Sequence, residues 1–380
     1  MEFKNRNLPE PYRILFPLGV FASLIGIGLW LLVSEGLISF FPRQAHANIM
    51  YFCFLWSFIA GFLMTAIPKM TGTSKANIYE MGFAVLLVLT QLVFSLGNNF
   101  PFAVIIFALQ TLLLIEFIVR RFLLKKQIPF EGFLFIPFAF LQVFIAITLF
   151  FRTMGISSDT FYLLAGEAFV LNLIVGLGSR LIPVLSRVPN TFTPDVQLPG
   201  SNWRITIFLA VTLNFGFWMQ ALGLFYLGLG VRFFVLAWVA VKNFKIFSRV
   251  TVKSFVGLGL RIGVFFMLLS YVLGLFFPAH FMSMQHLLYI GGFVLITFMV
   301  GTRVMLAHGG ESLSYETDSK RLGVVALFFA FASWLRVFAG TEIFGNVLKL
   351  AIALFALAVC FWMHKFIHIL LQKKSGHECG

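Results

Sequence analysis

The amino-acid sequence predicts an all-α protein that crosses a membrane about twelve times as a single integral membrane domain. Of its 380 residues, 60% are hydrophobic and only 11% are charged, whereas soluble domains average about 45–50% and about 25%. A hydrocarbon core about 30 Å thick requires about 20 apolar residues per helix, and the chain supplies on the order of twelve such stretches. This composition excludes a water-soluble globular protein.

The apolar stretches define twelve candidate spans with short breaks between them. Spans seven and eight are separated only by the glycines of 221-ALGLFYLGLG-230, which we interpret as a hairpin. The twelve spans lie near 14–34, 46–68, 80–97, 101–120, 130–151, 161–186, 204–220, 223–243, 254–277, 282–307, 321–339 and 345–371.

The excess of 28 Lys and Arg over 14 Asp and Glu gives a net charge of +14. In a soluble protein this charge would favour nucleic-acid binding, but here the basic residues fall in alternate breaks between spans, which predicts membrane orientation instead. We therefore expect both termini to lie in the cytoplasm. The predicted outer loops hold only Arg43, Arg152 and Arg336, and the predicted inner loops hold Lys69, Lys75, Arg120 to Lys126, Arg187, Arg204, Lys242 to Lys253, Lys320, Arg321, Lys373 and Lys374.

A repeat is visible beneath the hydrophobicity. His46 in span two is followed fifteen residues later by Gly61, and His286 in span ten is followed fifteen residues later by Gly301. A similar glycine ends span six, where Leu163 takes the place of the histidine. The spacing predicts three four-helix units, over about 12–126, 127–250 and 251–373.

His46 and His286 are candidate axial ligands of a haem iron. Both lie at the start of even-numbered spans that run inward, so topology places them at similar depth in the outer leaflet. Two imidazoles on different helices suit haem ligation, with the porphyrin between the helices. The alternative is a pair of interfacial histidines bonded to water or backbone, although ionisable groups inside a membrane are generally functional.

Haem propionates need cations, and two of the three outer arginines are candidates. Arg43 precedes His46, and Arg336 lies at the outer end of span eleven. Arginine can hold a carboxylate through two parallel hydrogen bonds. Each arginine can also act simply as an interfacial anchor.

Other histidines and methionines offer weaker metal sites. His280, Met282 and Met284 form an HxMxMxH sequence with His286, and thioether with imidazole suits Cu(I). Methionine is also an ordinary filler of apolar gaps. His364 and His368 lie one helical turn apart and can share a metal, or they can belong to a solvated headgroup face.

Several polar residues near or within the spans have two interpretations. Glu167 and Asn172 in span six can assist proton movement or fill a helix contact. A group at the inner ends can form a basic pocket for an anion or a quinone head, or anchor the helices by the positive-inside rule. This group comprises Arg180, Arg187, Arg303 and His308.

The motifs resemble the NnrS family of bacterial membrane proteins. The resemblance implies a twelve-helix, haem- and copper-containing protein of the nitric-oxide response, with nitric oxide or an iron-nitrosyl species as its partner. The family's His-Ala-His-Glu sequence is His46-Ala47-Asn48-Ile49 here, so a ligand set that depends on that motif is incomplete. The resemblance is carried by 13-RILFPLGVFASLIGIGLWLL-32, 46-HANIM-50, 59-IAGFLMTAIPKMTG-72, 178-GSRLIPVLSR-187, 286-HLLYIGG-292 and 301-GTRVMLAHGG-310.

The catalytic subunit of haem-copper oxidases is a more distant resemblance. Its low-spin haem is held by histidines on helices two and ten, which His46 and His286 resemble. Its high-spin haem ligand corresponds to Met284, and its copper histidines on helices six and seven have no counterpart in this chain. The resemblance therefore implies one b-type haem between spans two and ten, without an oxygen-reducing centre.

Together with these observations, the resemblance to the NnrS family implies an inner-membrane haem protein of the nitric-oxide response. Whether it is an enzyme stays open; an enzyme of this kind would be a haem-dependent oxidoreductase. One alternative is a quinone-linked electron-transfer subunit. Another is a transporter, for which Arg232 and Lys349 are candidate mid-membrane charges.

Overall fold

The structure, a computed structural model, describes residues 9–125, 130–153, 156–189, 191, 203–309, 312, 314–340 and 346–371. Lys126, Lys373 and Lys374, which the loop prediction uses, lie outside these residues. The described part of the chain forms twelve long helices and no β-strand. They are α1 (Tyr12–Ser34), α2 (Arg43–Thr71), α3 (Ile78–Leu96), α4 (Phe100–Leu123), α5 (Glu131–Arg152), α6 (Ser158–Leu185), α7 (Trp203–Ala221), α8 (Phe225–Lys242), α9 (Phe255–Phe276), α10 (Pro278–Gly309), α11 (Lys320–Ala339) and α12 (Val347–Leu371).

The predicted all-α polytopic membrane fold is confirmed. Eleven of these helices are long and apolar enough to cross a membrane. The exception, α7, is 19 residues long and carries Arg204, Asn214 and Gln220, whose side chains lower its mean hydropathy. It packs against α8 as the predicted hairpin. The turn between them places Gly223 at φ +89°, a conformation that favours glycine.

Helices α2, α6 and α10 form the interior of the bundle. In each of them, 72% of the most apolar 18-residue stretch is buried, against 28% to 56% in the other candidate spans. In each of them a short α-helical segment, which a 3₁₀ turn precedes in α10, continues as a π-helix and then returns to α-helix. π-Helical segments are uncommon and often lie at functional sites. The predicted threefold repeat stays a prediction, and this shared order is what such a repeat would produce. The π-helices are Ile49–Leu55, Tyr162–Ala168 and Leu287–Val294.

A buried carboxylate joins the end of α6 to α10 on the side of the bundle that the sequence predicts to face the cytoplasm. Glu316, in the short helix Tyr315–Asp318, is fully buried and accepts hydrogen bonds from Arg187 Nη2 at 3.0 Å and Arg303 Nη1 at 2.8 Å. Two cations of the hypothesised basic inner pocket are therefore neutralised within the protein. Two of the four residues proposed for the anion or quinone pocket are thus ion-paired, and both interpretations of this group stay predictions.

Candidate functional site

His46 and His286 each form a hydrogen bond between Nδ1 and a backbone carbonyl oxygen. His46 Nδ1 lies 2.8 Å from the backbone oxygen of Gly26 on α1, and His286 Nδ1 lies 2.7 Å from the backbone oxygen of Met282. A carbonyl oxygen can only accept, so each Nδ1 must donate and each Nε2 carries the lone pair. Histidines that bind metals are commonly oriented by such a second hydrogen bond.

Aromatic rings border both imidazoles. His46 packs edge-on against Trp30, with ring centroids 5.9 Å apart, and His286 packs edge-on against Tyr289 at 5.7 Å. Both histidines are partly buried near the same end of the inner helices. They lie within electrostatic range of each other. The two residues that the sequence predicts as an axial pair therefore lie near each other, and their role as ligands stays a prediction.

Arg336 joins this site from α11. Its guanidinium lies within electrostatic range of both His46 and His286. It is partly buried and has no hydrogen-bond or ion-pair partner among the residues that the structure describes. A partly buried cation beside two imidazoles is suited to an anionic group such as a carboxylate.

Arg43 has a charged partner within the protein. It forms an ion pair with Asp159 at the start of α6, in which the two side chains are 47% and 60% exposed. Such exposed pairs contribute little to stability. The predicted propionate role of Arg43 therefore has a competing partner, and the role stays a prediction.

The predicted copper ligands face different surroundings. His280 is exposed in the 3₁₀-helical turn at the start of α10, and Met282 is 41% exposed. Met284 is 7% exposed and packs with Phe266 and its neighbours. The exposures of these three side chains therefore differ, and copper at this position stays a prediction.

Two further candidates lie away from the histidine pair. His364 is exposed on α12, with its Nδ1 3.5 Å from Arg321, and His368 is exposed one turn later. Lys349, a candidate mid-membrane charge, forms an ion pair with Glu35 at 2.5 Å. No group of three or more His, Cys, Asp or Glu side chains that could hold a metal occurs among the described residues.

Three tyrosines that the sequence analysis did not select lie together beside the histidines. Tyr51, Tyr162 and Tyr289 come one each from the three π-helices. The ring of Tyr51 stacks on that of Tyr162 at 6.2 Å and meets that of Tyr289 edge-on at 5.8 Å. Gly166 makes room for Tyr51, because a Cβ there would lie 3.0 Å from its ring. We call these three residues the tyrosine cluster.

An ion pair buried inside the bundle contacts the tyrosine cluster through Tyr289. Arg232 Nη1 of α8 donates to Glu167 Oε1 of α6 at 2.7 Å, and both side chains are at most 2% exposed. The same oxygen accepts from Tyr271 at 3.0 Å. The other oxygen, Oε2, accepts from Gln285 at 3.3 Å and Tyr289 at 3.4 Å. Arg232 therefore lies in a closed pair, which offers no support for its role in a transport path.

A second polar network binds α6 to its other neighbours. The amides of Asn172 and Asn214 exchange hydrogen bonds of 3.0 and 2.9 Å, and Gln142 donates to Asn214 at 2.7 Å. These three residues are buried on α5, α6 and α7. Asn172 fills a helix contact, one of its two predicted roles. Glu167 also makes helix contacts, and a role in proton movement stays a prediction for it.

Comparison with known proteins places the chain in a family. The model of the family described as NnrS protein matches residues 7–374, nearly the entire sequence. The chain belongs to the NnrS family. The search of curated proteins gave no match.

Asn48, at which the sequence departs from the motif that resembles the NnrS family, connects two interior helices. Asn48 is 1% exposed, and its side-chain oxygen accepts a hydrogen bond of 2.8 Å from Tyr162 of the tyrosine cluster. Tyr162 also lies 3.3 Å from the backbone oxygen of Gln44. In this NnrS protein, the residue two positions after His46 thus links α2 to α6.

Proposed function

We propose that this protein is an inner-membrane haem protein of the nitric-oxide response, with His46 and His286 as the axial ligands of one b-type haem near the outer face. The observation that carries the proposal is the matched presentation of the two imidazoles, each with Nδ1 on a backbone carbonyl oxygen. The NnrS family match supports the nitric-oxide role.

The donor set fits a haem. Neutral imidazoles with Nε2 unprotonated are the form that iron requires, and two of them from different helices occur in electron-transfer haems. Arg336 supplies a cation for a propionate, and Trp30 supplies an apolar wall beside His46. When bound, the haem supplies an iron that changes oxidation state and that can bind nitric oxide if one coordination position is open.

The proposed orientation places both termini in the cytoplasm. The outer loops then carry few cations, as the positive-inside rule requires. His46, His286 and Arg336 all lie near helix ends that face the periplasm in this orientation. If His46 and His286 both held the haem, one of them would have to dissociate before nitric oxide could bind.

The proposal is tested by absorption spectroscopy of the purified protein. We expect a low-spin b-type spectrum that changes between the oxidised and the reduced form, and we expect nitric oxide to convert part of it slowly as one histidine leaves. A strain that lacks the protein should be more sensitive to a nitric-oxide donor, and the wild-type chain should restore tolerance. Protein purified without haem from haem-supplied cells would contradict the proposal.

A further inference from the structure

Glu167 is connected to His286 through two side chains of α10. Gln285 immediately precedes His286, and Tyr289 follows it by three residues. Both donate to Oε2 of Glu167, at 3.3 and 3.4 Å. One carboxylate oxygen therefore binds α10 on both sides of the histidine, at the junction where the α-helical turn becomes the π-helix Leu287–Val294.

Additional contacts fix Gln285 and Tyr289. Ser270 on α9 donates to Gln285 Oε1 at 2.8 Å and also lies 3.0 Å from the backbone oxygen of Met284. The ring of Tyr289 contacts the imidazole of His286 edge-on, while its hydroxyl reaches Glu167. Tyr289 thus contacts both the imidazole of His286 and the carboxylate of Glu167.

The charge of Glu167 is matched within the protein. Arg232 donates to Glu167 and Gln220, and its guanidinium lies 5.1 Å from the centre of the Tyr271 ring. Two charges this deeply buried are costly, and they are retained in membranes mainly where they serve a function. The pair holds a fixed negative and a fixed positive charge near the proposed haem, with no net charge.

We propose that Glu167 is a positioning residue for His286, which it holds through Gln285 and Tyr289, and that its pairing with Arg232 sets the reduction potential of the proposed haem. This inference rests on the proposed function. A ferric bis-histidine haem carries one positive charge more than the ferrous form. Loss of the carboxylate charge therefore disfavours the ferric form, and loss of the guanidinium charge favours it.

The test compares the reduction potentials of full-length variants in detergent. Glu167→Gln should shift the potential upward, and Arg232→Gln should shift it downward. The double variant removes both charges and should return towards the wild-type potential. A structural disturbance alone would not reverse sign between the two single variants. Asn172→Ala is the matched control, since it removes a buried polar side chain of α6 that bonds to α7.

Shifts of the same sign in both single variants, or shifts no larger than that of Asn172→Ala, would overturn the inference. Should a single variant not accumulate, Tyr289→Phe carries the test, because it keeps the ring on His286 and removes only the hydroxyl. We expect part of the haem to become five-coordinate and high-spin, and an unchanged spectrum would overturn the inference. If the wild-type protein bound no haem, or bound a haem that did not depend on His46 and His286, the proposed function would be overturned instead.

Discussion

His46 and His286 direct Nδ1 to a backbone carbonyl oxygen at nearly equal distances, 2.8 Å and 2.7 Å. The two carbonyls come from different places: Gly26 is on the neighbouring helix α1, whereas Met282 is one turn earlier on α10. Both imidazoles are thus held through Nδ1, one by a neighbouring helix and the other by its own helix. Both leave Nε2 as the nitrogen that can bind iron.

Arg336 is expected to hold a haem propionate. Arg336→Ala should weaken haem affinity about 10-fold, the lower end of the range for residues that support metal ligands. Haem content after gel filtration and the reduction potential measure the effect. The control is Arg152→Ala, which removes an exposed arginine of the predicted outer loops. Equal haem retention and equal reduction potential in the two variants would contradict the propionate role of Arg336.

Glu316 is expected to contribute to stability. Glu316→Gln should lower the free energy of unfolding by about 1–3 kcal/mol, since two arginines lose their charged acceptor. Thermal unfolding in detergent measures this change. Asp318→Asn alters an exposed acid of the same short helix and should have little effect. If both variants unfold at the wild-type temperature, the bonds from Arg187 and Arg303 carry no net stabilisation.

The orientation of the chain is expected to follow its basic loops. Reporters fused after Lys126, Lys253 and Lys374 should indicate the cytoplasm, and one inserted at 278–283, at the start of α10, should indicate the periplasm. Reporter activity with the opposite sign at all four positions would invert the topology. A periplasmic signal after Lys374 alone would mean that the number of spans is odd.

The helices could be predicted from hydropathy because each span must satisfy its backbone hydrogen bonds within itself. The predicted span 14–34 is the helix Tyr12–Ser34, and 345–371 is Val347–Leu371. The hairpin between α7 and α8 was predicted from its glycines, and Gly223 has the positive φ that requires one. Matching positions in the repeat, with the family resemblance, selected His46 and His286.

The remaining features depend on contacts between distant segments. The sequence does not indicate the tyrosine cluster, because Tyr51, Tyr162 and Tyr289 do not recur at a common interval along the chain. Hydropathy also does not distinguish a π-helix from an α-helix. Arg232 was interpreted alone as a mid-membrane charge. The presence of an opposite charge at Glu167, also within an apolar span, was the available signal for their pairing.

The most direct test of the account is the absorption spectrum of the purified wild-type protein beside His46→Ala, His286→Ala and His364→Ala. We predict a six-coordinate low-spin spectrum in the wild type and in His364→Ala, whose histidine is exposed on α12 away from the pair. Either ligand variant should lack this spectrum and yield haem-free protein or a five-coordinate high-spin haem. A low-spin spectrum that persists in both His46→Ala and His286→Ala would contradict the account.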